Sequence, residues 1–501
     1  MTILPNFLMK RASLTPERIA LEMEDRTVTF SELYINSLTL GGKLVELGVK
    51  RGDRISIFMA NSLEMVELLF ALKNIGAITV LHNLRLTSAE LSYQVEDASS
   101  RFILVDDEKV IGLKERKEFK ETQKIVPFSE VFQLGGSDFP LVEEFSLEEV
   151  DTIMYTSGTT GFPKGVKQTY GNHFWSATGS ALNMGLHEED CWLLAVPIFH
   201  ISGLSILMRS VIYGMRVIIH SRFEAERVHQ DLMTRQVTIV SVVTTMLSGL
   251  LEQLGTNCYP QAFRCMLVGG GPVPKSVLEE CMRKSIPVYQ TYGMTETCSQ
   301  IVTLSPDFSM TKLGSAGKPL FPCQLKIMDN GLEAGPMETG EIVVKGPNVT
   351  IGYYNWEEST VEAIRNGWLY TGDLGYVDED GFLFVVDRRS DLIISGGENV
   401  YPAEIEAVLV SHPSINDAGV TGMEDARWGQ VPVAFVVTNK VVELLEEELF
   451  TFVRERLAGY KVPKSFYLVE HLPRNASNKL MRRELFKMLP DWEGRDEHSA
   501  D

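Results

Sequence analysis

Between residues 54 and 105, short apolar runs alternate with stretches of helical spacing, and this alternation constrains the fold more than any other feature of the chain. Residues 54–59 form the first run. Asn61 with Glu64 three positions on is a capping pattern that predicts a helix over 65–74. Residues 78–81 read as a second strand, Thr87 with Glu90 repeats the cap before Leu91, and 102–105 is a third run closed by Asp106 and Asp107. Strand, helix, strand, helix, strand implies a parallel sheet with helical crossovers. The rhythm returns later, with strands expected at 239–243, 265–268 and 288–291 and a helix at 275–283. In such sheets ligands lie beyond the carboxyl ends of the strands. The segments 157–165, 269–271 and 292–296 each follow a strand, so three loops are expected at one mouth.

From 331 to 354 the pattern changes to short strands punctuated by Gly and Pro, among them 341–345, which predicts an antiparallel subdomain. A boundary falls near 387–390. Beyond it come a helix at 404–410, strands at 418–421 and 433–437, a helix at 444–457 and a strand at 466–469. The expected class is therefore α/β: a large N-terminal body of parallel α/β sheets with a small antiparallel subdomain, then a small α+β C-terminal domain. A chain of 501 residues is about three times the common domain length of ~150, which agrees with more than one domain.

The chain carries 47 Lys and Arg against 67 Asp and Glu, a net charge of −20. Such a field repels phosphate polymers and anionic lipid, which disfavours nucleic acid and membrane surfaces as partners. A small anion can still be held by local amides and cations. The six cysteines show no zinc-like spacing and read as reduced core thiols. Lys10, Arg11, Glu17 and Arg18 interrupt the apolar positions of 1–22, and no uncharged apolar run reaches the ~18 residues of a bilayer span. A cytoplasmic protein is expected, and a homo-oligomer is compatible with the sequence.

The densest chemical signal is Thr156-Ser157-Gly158-Thr159-Thr160-Gly161-Phe162-Pro163-Lys164-Gly165, placed after a strand-like 152–155. Its glycines let backbone N–H groups face a ligand, its four hydroxyls add donors, and Lys164 adds a point charge, as a polyphosphate requires. The P-loop of kinases and GTPases needs Gly five positions after its first Gly, and here that position is Pro163. Taken alone, the segment also reads as a Ser/Thr/Gly turn with no ligand.

With the ordered motifs Tyr292-Gly293-Met294-Thr295-Glu296, Gly340-Glu341, Thr371-Gly372-Asp373, 387–402 and 473–479, the chain resembles the adenylate-forming superfamily along nearly its whole length. That superfamily includes acyl-CoA synthetases, the adenylation domains of peptide synthetases and firefly luciferase. The resemblance implies ATP-dependent conversion of a carboxylate to an acyl-adenylate with release of diphosphate, then transfer of the acyl group to a thiol. Pro197-Ile198-Phe199-His200-Ile201-Ser202-Gly203, Val268-Gly269-Gly270-Gly271-Pro272, 292–306 and 473–480 look like the branch that activates 2-succinylbenzoate for menaquinone synthesis in Bacillus. The substrates it implies are 2-succinylbenzoate, ATP and CoA, with Mg²⁺ as the ion.

Joining two anions demands neutralised charge and in-line positioning. The resemblance gives the Thr295 hydroxyl to the α-phosphate and the Glu296 carboxylate to Mg²⁺, although Glu296 also reads as a helix-start carboxylate. It gives Thr156, Ser157, Gly158, Thr159, Thr160 and Lys164 to the phosphates, and Asp373 with Arg388 to the ribose. Tyr292 offers its ring to adenine, with Gly269, Gly270, Gly271, Pro272, Thr291, Gly293 and Met294 alongside. Lys479 bridges carboxylate and phosphate during adenylation, although its polar setting reads as solvated surface and Asn478 stands where many relatives have Gly. The small domain, 391–501, is implied to rotate on a hinge at 388–390, where Ser390 replaces a common Asp, away from a body of 1–387. It then presents Ser395, Gly396 and Gly397 for thiolation. His200 and Ser202 are implied at the acyl group, His200 being otherwise a core histidine. Arg209 is a candidate for the second, unactivated carboxylate, which must find a donor or cation when buried. Its alternative is a helix-surface arginine. The competing functions are a general fatty- or aryl-acid CoA synthetase and a non-catalytic adenylate-binding or carrier-loading protein.

Overall fold

The computed structural model describes residues 2–86, 88–114, 119, 124–156, 163–271, 273–388, 393–395, 398–400, 402–425, 428–438, 446–457, 459–475 and 480–489. Thr87, Ser157, Gly158, Thr159, Thr160, Pro272, Ser390, Gly396, Gly397 and Lys479 lie outside them. Compactness divides the chain into two units. The first holds 1–326, 343–370 and 381–383, and the second holds 327–342, 371–380 and 384–501.

The first unit is the parallel α/β body that the alternation predicts. Strands Arg54–Phe58, Ile78–Leu81, Phe102–Val105, Lys124–Pro127 and Val150–Thr156 lie parallel in one sheet, which Lys164–Thr169 ends by pairing antiparallel with Val150–Thr156. A second sheet runs parallel through Cys191–Leu194, Arg216–Ile219, Ile239–Val243, Cys265–Gly269 and Val288–Met294. It turns antiparallel at Ser299–Leu304 and Ser315–Pro319.

One core holds apolar side chains of both sheets, among them Ile55, Ile57 and Leu104 with Trp192, Leu194 and Val217. Helix Leu63–Ile75 contributes to it and is buried at every position except Glu64. A helix buried on every side can only sit inside a protein, its buried Lys73 being paired with Asp151, and each of its buried Leu or Ile side chains contributes roughly 1.5–3 kcal/mol. Its cap departs from expectation by one residue: Ser62 accepts the Met65 N–H, and Asn61 instead donates its amide to the Val196 and His220 carbonyls. Helix Ile201–Tyr213 is buried over 201 and 203–211, which overturns the surface reading of Arg209.

In the second unit, Glu398–Val400, Ile393–Ser395, Gly429–Thr438 and Ile415–Asp425 form an antiparallel sheet, with Phe466–Leu468 added in parallel. One face packs on helices Pro402–Val410 and Glu446–Arg454 through Ile405, Leu409, Leu449 and Val453. The other buries Val433, Phe435, Leu472 and Leu485. The short strands Leu332–Glu333 and Gly340–Lys345 occur where Gly and Pro punctuation predicts them. All six cysteines are free, but Cys258 is exposed, so only five are core thiols. Burial pushes the Cys191 thiol up to about 11 and those of Cys265, Cys281 and Cys323 up to about 12, which leaves them unreactive. Among the described residues no helix is long and apolar enough to cross a membrane.

Candidate active site

The candidate phosphate loop leaves one strand of a hairpin and returns on the other. Thr156 ends Val150–Thr156, Lys164 begins Lys164–Thr169, and the two are register partners. The Lys164 ammonium donates to Ser359 Oγ at 2.9 Å and lies 5.6 Å and 5.5 Å from the ring centres of Tyr353 and Trp356. The Tyr353 hydroxyl donates in turn to Glu296 Oε1 at 3.1 Å. One aromatic side chain therefore links the loop cation to the carboxylate implied for Mg²⁺.

Thr295 and Glu296 occupy the one-turn helix Thr295–Thr297, between the antiparallel strands Val288–Met294 and Ser299–Leu304. The register between those strands shifts at Tyr292/Gly293, a bulge of the kind that re-aims side chains near sites. Gly293 is required there, since a Cβ would stand 2.1 Å from the Ser299 carbonyl oxygen. Gly270 follows strand Cys265–Gly269 with φ +85°, a conformation that favours glycine. Thr291 lies beside Gly269, and its hydroxyl donates to the Val302 carbonyl at 2.9 Å. The described part of the first unit thus brings together Lys164, Tyr353, Glu296 and Thr295, with Gly269, Thr291, Tyr292, Gly293 and Met294 on the adjacent strands.

Helix Ile201–Tyr213 carries the acyl candidates. His200 is its N-cap residue, half-buried, and burial with the positive charge of Arg85 lowers its imidazole to about 4, so it is neutral at physiological pH. Ser202 is exposed on the first turn, and its carbonyl accepts from Ser205 Oγ. Arg209 is 1 % exposed, and its guanidinium lies 5.1 Å from the Trp192 ring centre. Its Nη2 donates to Ser299 Oγ at 3.3 Å, while its Nε has no partner. Among the described residues no carboxylate pairs with it, and burial pulls its pKa down. Helical side chains slant toward the N-terminus. The Arg209 head accordingly comes level with Ser205, whose hydroxyl also reaches Ser299 Oγ, at 3.4 Å. Ser205 stands five residues from His200, roughly 7 Å of helical rise, a span suited to a small acid with a carboxylate at each end.

The second unit holds Asp373, Arg388 and Ser395. Asp373 is buried, its N–H donating to Thr371 Oγ1 at 3.1 Å. The Gly372 N–H donates to Glu341 Oε1 at 3.0 Å, and the Thr371 hydroxyl donates to the Ile342 carbonyl at 2.7 Å, so the turn is fixed locally. Arg388 ends strand Leu383–Arg388, and Ser395 is buried at the end of Ile393–Ser395. On either side of Lys479, Arg474 and Leu480 pair as an antiparallel bridge, with Arg474 also bound to Asp417 at 2.6 Å.

Sequence reading missed Tyr353, Ser359, Trp356 and Ser299, because a Gly-Tyr-Tyr segment or a lone serine carries no signal until the fold sets it beside Lys164 or Arg209.

Three histidines make the body acid-sensitive. His82, between Gln94 and Ser56, and His173, between Cys298 Sγ and Asp151, are fully buried, and burial lowers both to about 4, like His200. The unfolded chain binds these protons near the ordinary value of 6.5. Their contribution is therefore complete above pH 6.5 and is lost as pH falls toward 4, by roughly 3 kcal/mol for each fully buried ring. Urea midpoints at pH 7, 5.5 and 4.5 should fall in that order, and His82→Asn should flatten the slope.

Residues 8–354 match the model of the AMP-binding enzyme family, and 404–479 match that of the AMP-binding enzyme C-terminal domain. The chain belongs to the AMP-binding enzymes. Within that class it is 56% identical over 493 residues to a 2-succinylbenzoate–CoA ligase of Geobacillus kaustophilus, an alignment covering 98% of this chain and 99% of that one. Among solved structures it is 51% identical to the o-succinylbenzoate CoA synthetase of Bacillus subtilis in complex with the acyl-adenylate intermediate, with a TM-score of 0.93 over 97% of this chain and 98% of that one. The same Bacillus subtilis enzyme with ATP and magnesium ion matches with a TM-score of 0.92 at 51% identity, over 97% of this chain and 100% of that one.

Proposed function

We infer that this protein is an AMP-forming acid–thiol ligase that activates 2-succinylbenzoate with ATP and passes the acyl group to CoA, in menaquinone synthesis. The acid displaces diphosphate from ATP to give the acyl-adenylate, and the CoA thiol then displaces AMP. The observation that carries the choice of acid is Arg209, a buried guanidinium with an unpartnered Nε and no carboxylate of the described residues beside it. A long-chain acid has no use for such a group, whereas a dicarboxylate supplies the missing anion. His200, neutral and half-buried, contributes polarity beside the carbonyl rather than general-base chemistry.

Among the described residues no group of three acidic, His or Cys side chains could hold a metal. A single carboxylate, Glu296, steadied by the Tyr353 hydroxyl, suits Mg²⁺, which is commonly held by one or two carboxylates together with substrate phosphates. Bound with the nucleotide, that ion supplies positive charge against the phosphates. Thr295 offers its hydroxyl to the α-phosphate, Lys164 and the loop after Thr156 hold the outer phosphates, and Tyr292 and Gly269–Gly271 take the base. In the second unit Asp373 and Arg388 hold the ribose, Ser390 is the hinge, and Ser395 with Gly396 and Gly397 serves thiolation. The C-terminal domain of 391–501 acts as a separate part from the body of 1–387. A reaction that draws on ATP and CoA fits a cytoplasmic location.

Diphosphate release measured over a panel of carboxylic acids with CoA present tests the reading. 2-Succinylbenzoate should exceed benzoate and fatty acids by about 100-fold or more in kcat/KM, since a site built around a charged contact strongly rejects acids lacking it. Equal rates with a fatty acid would favour the general synthetase.

A further inference from the structure

We propose that Gln168, Asn348 and Ser176 are positioning residues that fix the turn carrying Thr295 and Glu296, each by holding one backbone carbonyl of that turn. The inference rests on the reading of Thr295 and Glu296 as nucleotide-binding groups. Gln168 Nε2 donates to the Thr295 carbonyl at 3.0 Å, Asn348 Nδ2 to the Thr297 carbonyl at 2.8 Å, and Ser176 Oγ to the Cys298 carbonyl at 2.6 Å. The Glu296 carbonyl accepts from the backbone N–H of Thr350 at 2.7 Å. Every carbonyl from Thr295 to Cys298 is thus held from outside the turn, by groups on three separate segments of the chain.

The turn needs such restraint. Cys298 and Ser299 have φ of 50° and 96°, in the left-handed region that side chains avoid, and such backbone persists only where its surroundings over-determine it. The same two residues lead to Arg209, since Ser299 Oγ accepts from its Nη2. A slack turn would displace the α-phosphate hydroxyl, the Glu296 carboxylate and the contact to Arg209 together.

Gln168 is the informative member. It is fully buried, and its Oε1 has no partner. A buried amide with half its capacity unmet is unfavourable compared with an apolar side chain of similar size. The unmet oxygen offsets what the bond to the Thr295 carbonyl contributes to stability, and that carbonyl also accepts the Cys298 N–H at 3.1 Å, so the distinct effect of the amide is to fix where the turn lies. Gln168 adjoins a register shift at Gln168/Thr169, the kind of irregularity that turns a strand side chain toward a site.

Gln168→Met keeps the volume and removes the donor together with the unpaired oxygen. In ATP–diphosphate exchange with 2-succinylbenzoate it should lower kcat about 30-fold and leave the KM for ATP within about threefold, the pattern of lost positioning. The thermal midpoint should stay within about 2 °C of the unaltered protein or rise. Amide hydrogen exchange of the peptide spanning 294–299, in the protein without nucleotide, should quicken about tenfold or more. Ser176→Ala, a smaller change, should show the same pattern with about a fivefold loss in kcat. Exchange within about threefold of the unaltered protein in both variants would overturn the proposal. So would a loss of kcat that follows a lowered midpoint while the 294–299 peptide stays as protected as before. Absence of exchange in the unaltered protein would overturn the functional reading as well, which separates the two failures.

Discussion

Alanine at Lys479 should abolish acid-dependent diphosphate release, by about 1,000-fold or more, while preformed acyl-adenylate still reacts with CoA within about threefold of the unaltered rate. Adenylation brings a carboxylate against an α-phosphate, so the barrier is dominated by like-charge repulsion, and removing even one neutral donor from such a site costs about 100- to 1,000-fold. An ammonium that bridges both anions should count for at least as much. In the second step one reactant is already an uncharged mixed anhydride at its acyl carbon, and the entering thiol needs no such bridge. The half-reactions should therefore separate. The measurement is paired: labelled diphosphate exchange for the first step, and acyl-CoA formation from synthetic adenylate for the second. Equal loss in both would mean that Lys479 serves the fold or the nucleotide generally, and would remove the distinction between an adenylating lysine and a separate thiolation face at Ser395, Gly396 and Gly397. Arginine at this position should recover little, because a planar fork does not reproduce a compact point charge.

The parts of this fold that declare themselves in sequence are those where local signals agree. Strands Ile78–Leu81, Phe102–Val105 and Ile239–Val243 and helix Lys275–Arg283 begin and end where apolar runs and helical spacing place them. Strands with extra partners run beyond their apolar centres. Ile415–Asp425 is a ten-partner antiparallel neighbour of Gly429–Thr438, so its pairing extends through polar residues that carry no strand signal. The cap of the helix Leu63–Ile75 slipped by one residue because Asn61 and Ser62 are equally good caps, and Asn61 is taken by two carbonyls distant in sequence. Lys164, the Thr295-Glu296 pair and Asp373 stand out in sequence as candidates because their types and order are distinctive. Gln168, Asn348 and Tyr353 do not, since each acts through a residue 51 to 127 positions away.

Methionine at Arg209 should raise the KM for 2-succinylbenzoate about 100-fold and leave that for ATP within about threefold. Helix Ile201–Tyr213 is too buried to carry a charge as decoration, and among the described residues Arg209 has the Ser299 and Tyr213 hydroxyls and the Trp192 face to stabilise it, but no carboxylate. A guanidinium out of water with an unpartnered Nε is destabilising until an anion arrives. The substitution should thus leave the thermal midpoint unchanged or raise it, even as the acid binds worse, because a packed thioether replaces an uncompensated charge. Discrimination supplies a second reading. An analogue with hydrogen in place of the unactivated carboxylate should be about 100-fold poorer than 2-succinylbenzoate with the unaltered enzyme and nearly its equal with Arg209→Met. Lysine should restore part of the affinity, since it keeps the charge without the fork. An unchanged KM with a lowered midpoint would make Arg209 a structural residue and leave the second carboxylate to another group.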